Sequence, residues 1–227
     1  RFQPMGRHHA SAFKWLENSF PGADVKVVTS GKVQIPRSPL TFIEKQQVAT
    51  AHGIDSSKFV ETKQPYRAQE VLSSYDPEKT AVVFMVGAKD MDENPRFANL
   101  DGTKADGTPA YFKTYNASKE DLQPLSKHGY IIAAPHVAID IDGIGEMSGT
   151  SIRKALSRGD EKMFKDVMQF EDRYLLDLFK EKFSSGAGQE GLNESKKSLR
   201  CNPYLLWLKI SLTNLPVQLL YLAQWYR

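Results

Sequence analysis

The chain has 227 residues, 41% hydrophobic and 25% charged, which is near the globular average and excludes wholesale disorder. A net charge of +3 is too small to mark a nucleic-acid surface, and Cys201, the single cysteine, excludes an intrachain disulfide or a cysteine zinc site. Residues 1–9 are polar and lack the apolar region of a secretory signal, so a reducing, cytoplasmic setting is expected.

From the N-terminus, Ala12, Phe13, Leu16 and Phe20 recur at helical spacing up to a stop at Pro21-Gly22. Val25–Val28 is a short β-branched strand. Ser38 as N-cap, Pro39 at the first helical position and the Thr41/Glu44 capping-box spacing predict a helix from about Pro39 to His52, with Gly53 as its stop. Lys58–Thr62 reads as a strand and Ala68, Val71, Leu72 and Tyr75 as a short helix. Ala81–Val86 is the most apolar strand of the chain. Residues 88–128, rich in Asp, Asn, Gly, Lys and Pro, are too long and polar for an ordinary connection and read as an insertion. Strand character returns at Tyr130–Ala134. Helices follow Ser148, one placing Met163, Phe164, Val167 and Met168 on a face and the next Tyr174, Leu175, Leu178 and Phe179. Strands alternating with helices predict βαβ units and a parallel sheet.

The start at Arg1-Phe2-Gln3-Pro4 reads as a turn, so a short strand is expected upstream of it. Small residues from Ser184 predict a linker over 184–201, leaving a domain over 1–183 and an apolar segment over 202–227. That segment has the length of a spanning helix, but Lys209, Asn214, Pro216 and Gln218 argue against spanning. An interfacial anchor, a helix packed on the domain and a tail foreign to the native product remain open for it.

Two stretches carry the chemistry. Residues 1–9 and 147–153 each lie at a helix start, where backbone N–H groups and the macrodipole favour anions. His9 and Arg153 add donors or positive charge, and Thr150 and Ser151 add hydroxyls. Such a set suits charge on a transferring phosphoryl group.

Arg1-Phe2-Gln3-Pro4 ending in His9 resembles the Gly-Arg-Phe-x-Pro-x-His-x-Gly-His signature of adenylyl- and cytidylyltransferases, and Ser148–Arg153 resembles their Ile-Ser-x-Thr-x-Ile-Arg motif. Ser38–Lys45 is similar to the Asn-Pro-Phe-Thr-x-x-Glu-Arg segment of nicotinamide-mononucleotide adenylyltransferases, and Gly87–Asp90 to a Gly-x-Asp nucleotide-contacting turn. The ordered set covers residues 1 to about 180. It departs from the first signature at Gly6, where the family has His or Thr, and at His8, where it has Gly.

The resemblance to this HxGH/ISTSxxR superfamily implies an α/β, three-layer Rossmann-like parallel sheet of the nucleotidyltransferase (HUP) type, followed by C-terminal helices. It implies transfer of a nucleotidyl group, AMP in the nearest relatives, from ATP or CTP to a phosphorylated acceptor, with Mg²⁺ riding on the phosphates. By motif position, His9, Thr150, Ser151 and Arg153 are the implied catalytic residues. Phe2, Gln3, His8, Gly87, Asp90, Ser148 and Gly149 would bind nucleotide, and Arg37 and Lys45 the acceptor phosphate, beside the plainer role of a solvated helix face. No residue is assigned as a metal ligand, and Asp140 and Asp142 read first as a polar loop. Tyr111, Phe112 and Tyr115 read equally as nicotinamide-stacking or packing groups. Cytidylyltransferases and pantetheine-phosphate adenylyltransferases share the phosphate motifs, and the insertion and compact size also resemble nucleotidyltransferase-like proteins of large phages. A non-catalytic nucleotide-binding module is the alternative from another class. Expected partners are small molecules, not nucleic acid.

Overall fold

The computed structural model describes residues 2–65, 68–88, 91, 100, 102–103, 106–108, 110–115, 122–135, 139–143, 145–158 and 160–184, and the backbone of 206–211 and 221–224. The protein is a mixed α/β structure with parallel strand pairs.

Helix α1 (Arg7–Ser19) starts at Gly6, whose N–H donates to His9 Nδ1 at 2.9 Å, and it buries Ala12, Phe13 and Leu16 as their spacing predicts. The chain turns at Gly22, at φ +83°, into β1 (Asp24–Thr29). Helix α2 (Phe42–Ala51) is capped by Thr41, with Glu44 N–H donating to Thr41 Oγ1 and Thr41 N–H to Glu44 Oε2. It therefore begins three residues later than Pro39. The reason lies in residues 38–40: Ser38 bridges back to Gln34, and the Leu40 backbone is held by the Gln3 side chain, so neither can enter a helix. Gly53, at φ +82°, follows the helix as expected.

Strand β2 (Phe59–Glu61) pairs parallel with β1, Val27 facing Phe59. After α3 (Gln69–Leu72), β3 (Thr80–Gly87) is buried at every residue, which is why it reads as an unbroken apolar run. Strands β4 (Phe112–Thr114) and β5 (Gly129–Ala134) extend the sheet beyond β3, all three parallel. The predicted insertion thus contributes an edge strand. Its aromatics pack: Phe112 meets Phe84 edge-on at 4.8 Å, Tyr115 meets Phe20 and Tyr130, and Tyr111 donates to the Leu125 carbonyl at 2.8 Å.

A hairpin of β6 (Asp140–Ile141) and β7 (Gly145–Glu146) leads into three helices, α4 (Gly149–Leu156), α5 (Glu161–Met168) and α6 (Arg173–Ser184). Asp160 caps α5 through the N–H groups of Lys162 and Met163, and the spacing of Phe164, Val167 and Met168 puts them in the core with Leu175 and Phe179 of α6. Lys182 of α6 pairs with Glu44 of α2 at 3.0 Å.

The apolar C-terminal segment, for which the sequence leaves an anchor, a packed helix and a foreign tail all open, forms strands where it is described. It contributes β8 (Leu206–Ser211), antiparallel to both β1 and β3, with Leu208 in register with Val25 on one side and Val83 on the other. Strand β9 (Tyr221–Gln224) runs parallel to the end of β3 and antiparallel to β8. The sheet order is β2-β1-β8-β9-β3-β5-β4, so the expected parallel sheet holds within its two flanks and is interrupted by antiparallel pairing between them. A short apolar run suits a buried strand as well as a helix, and periodicity cannot separate them.

Candidate functional site

The two motifs, about 150 residues apart in sequence, meet. Arg153 Nη1 donates to the Gln3 carbonyl at 3.2 Å, and Nη2 donates to Thr150 Oγ1 at 3.3 Å. Beside this contact, Gly6 packs so closely on α4 that a Cβ there would lie 2.8 Å from Ile152 Cδ1 and 2.8 Å from His8 Cε1. A side chain at position 6 would force Ile152 and His8 to shift, so glycine suits this close approach. The N-termini of α1 and α4 are therefore neighbours.

The start of α4 is a reciprocal cap. Ser151 N–H donates to Ser148 Oγ at 3.1 Å and Ser148 N–H to Ser151 Oγ at 2.6 Å, while Ser151 Oγ also donates to the Glu146 carbonyl at 3.0 Å. Both serine hydroxyls hold the helix start in shape. The Gly149 and Thr150 N–H groups have no partner among the described residues and remain available to an anion. A Cβ on Gly149 would come within 3.4 Å of Arg153 Nη1, so the guanidinium lies across this bare backbone.

The first motif is buried rather than laid out on the surface. Phe2, at φ +50°, meets His9 edge-on at 5.3 Å and Phe59 at 6.1 Å. This left-handed backbone is uncommon for a bulky residue and is held by the packing around the ring. Gln3 is 3% exposed, and its amide donates to the Leu40 carbonyl at 3.0 Å and accepts from Leu40 N–H at 2.8 Å. The side chain is thus a tie between loops, not a group facing ligand.

His8 and His9 are buried with ring centroids 3.8 Å apart, and His52, just after α2, faces the same motif through Nε2 and the Met5 carbonyl at 3.1 Å. Burial lowers the His8 pKa to about 4, and electrostatic coupling to His52 and to the Arg7 guanidinium adds to the shift. Burial likewise lowers His52 to about 4 and holds His9 well below its ordinary value. All three rings are neutral at pH 7. Because His9 Nδ1 accepts from Gly6 N–H, the neutral ring carries its proton on Nε2, a donor rather than a base. Sequence reasoning missed His52, since nothing local to a histidine after a helix points to a loop forty-seven residues away.

The acceptor candidates separate. Lys45 is 1% exposed and donates to the Ser30 carbonyl at 2.6 Å, so it does not lie on a solvated helix face. Arg37 is exposed, in the turn closed by the Gln34–Ser38 bridge. Gly87 is buried at the end of β3, opposite Ala134 of β5, and Asp90 lies outside the described residues.

No group of three or more His, Cys, Asp or Glu side chains among the described residues is placed to hold a metal ion, and Asp140 and Asp142 are exposed in the β6–β7 hairpin. No described helix is long and apolar enough to cross a membrane. No protein-family model matches the chain, and no curated protein matches it.

Proposed function

We propose that the protein is a nucleotidyltransferase with a Rossmann-like three-layer core, moving a nucleotidyl group, AMP first among the candidates, from a nucleoside triphosphate to a phosphorylated acceptor. The observation that carries this reading is the junction of the two motifs, where Arg153 spans from α4 to the Gln3 carbonyl and Ile152 sits on Gly6. Two adjacent helix starts with a fixed guanidinium would form a preorganised cradle for a polyphosphate.

In the proposed reaction an oxygen of the acceptor phosphate attacks the α-phosphorus, the bond to the β-phosphate breaks, and pyrophosphate leaves. Negative charge grows on the α-phosphate oxygens, and the His9 Nε2–H is the group that would donate to them. Arg153, Thr150 Oγ1 and the N–H groups of Gly149 and Thr150 would hold the β- and γ-phosphates. Mg²⁺ would enter as part of the MgATP substrate, carried by its phosphates and water. Arg37 is the proposed contact for the acceptor phosphate. A cytoplasmic place of action is part of the same proposal.

The second reading, binding without transfer, is favoured by Ser151, whose hydroxyl is committed to the helix cap, and by the change at Gly6. A pyrophosphate-release assay with Mg²⁺, crossing ATP and CTP against nicotinamide mononucleotide, phosphopantetheine and glycerol 3-phosphate, separates the readings. Release with one pair is expected. ATP binding with silence across the grid would favour the binding module.

A further inference from the structure

We infer that Gln3 is a positioning residue that locks the acceptor loop to the nucleotide cradle. This rests on the transfer reading above. The Gln3 side chain grips both backbone groups of Leu40, and its own carbonyl accepts from Arg153. One buried residue therefore reaches the phosphate-holding guanidinium through its main chain and the loop before α2 through its side chain. Leu40 is fully buried, and three residues earlier Arg37 stands exposed in the turn closed by Gln34 N–H donating to the Ser38 carbonyl at 2.9 Å. With Leu40 pinned and Thr41 starting α2, the turn bearing Arg37 is fixed relative to α1 and α4. In-line attack requires reacting atoms about 3–3.5 Å apart, so a loop holding the acceptor phosphate must be registered against the guanidinium that would hold the β- and γ-phosphates. Gln3 supplies that registration without touching either ligand.

The side chain and main chain of Gln3 serve different partners, so side-chain substitutions separate the two. Gln3→Glu keeps an oxygen for Leu40 N–H but removes the N–H donated to the Leu40 carbonyl, whereas Gln3→Leu removes both. Neither changes the carbonyl that receives Arg153. With ATP, Mg²⁺ and nicotinamide mononucleotide, phosphopantetheine or glycerol 3-phosphate as acceptor, the acceptor KM of Gln3→Glu should rise roughly tenfold while the ATP dissociation constant stays within about twofold. An unchanged acceptor KM, or equal losses for ATP and acceptor, overturns the assignment. Hydrogen–deuterium exchange of residues 38–42, measured on wild type and both variants with no substrate, should quicken by about tenfold or more when Gln3 is changed. Unchanged protection overturns the tie itself. If the wild type releases no pyrophosphate with any acceptor, the transfer reading fails, and the exchange result still decides whether Gln3 holds the loop.

Discussion

The junction of α1 with α4 and the loop from β1 to α2 carry the two halves of the proposed site, and they are built in opposite ways. At the junction Phe2, Gln3, His8, His9 and Ile152 are all buried, and a Cβ on Gly6 would crowd Ile152 and His8. In the loop Val33 is 42% exposed, Ile35 75%, and Arg37 faces solvent. The loop is anchored at its C-terminal side, by the Gln34–Ser38 bridge and the Gln3–Leu40 clasp. On the proposed reading, the phosphate-holding side would be fixed before ligand arrives, while the acceptor side would depend on a few ties.

The largest break in this contrast is Arg153→Ala. It removes the guanidinium that joins the motifs, and transfer should fall by on the order of 10³-fold or more with the fold intact by circular dichroism. A well-folded Arg153→Ala protein of normal activity would remove Arg153 from the site.

Acid should loosen the junction next. His8 and His52 sit at about 4 in the folded protein against 6.5 when unfolded, so the unfolded chain takes up protons that the folded site refuses. The stability they contribute is present above about 6.5 and is lost as pH falls toward 4. At about 1.4 kcal/mol per tenfold change in proton affinity, each ring accounts for up to ~3 kcal/mol. Urea unfolding at pH 7.5 and pH 5 measures this, and His52→Asn should flatten the profile; a profile equally steep without His52 would refute its share.

Gly6→Ala tests the close approach itself. A methyl 2.8 Å from Ile152 Cδ1 and His8 Cε1 should cost about 1–3 kcal/mol, read as a lower Tm, with part regained in the double variant Gly6→Ala/Ile152→Val. No loss in the single variant would mean that the helices are not so tightly apposed. The smallest effect belongs to the loop: Arg37→Ala should leave stability and ATP affinity unchanged and raise acceptor KM about three- to tenfold. A weakened ATP affinity would place Arg37 on the wrong half.

Much of the framework was legible in the sequence because its signals are local. The Thr41/Glu44 pair, Gly53, the spacing of Phe164, Val167 and Met168, and the run from Ala81 to Val86 each report on their own element. Ser148 and Ser151 were legible as belonging to a helix start, yet their hydroxyls turn inward to each other, a choice between cap and ligand that residue type leaves open. The long-range partners were not legible. Gln3 with Leu40, His52 with Met5 and Gly6 with Ile152 depend on where the sheet brings separate helices, as does the strand formed by Leu206–Ser211. Lys45 shows the same limit, because helical periodicity around it did not reveal that its ammonium would cap the Ser30 carbonyl inside the protein.

The most direct test of the joint cradle is a titration of the wild type with pyrophosphate and then MgATP, followed through backbone amide resonances. Gly149 and Thr150 at the start of α4 and the residues opening α1 should shift together, with one saturation curve. Shifts confined to one helix start, or two curves of different affinity, would contradict a single polyphosphate site.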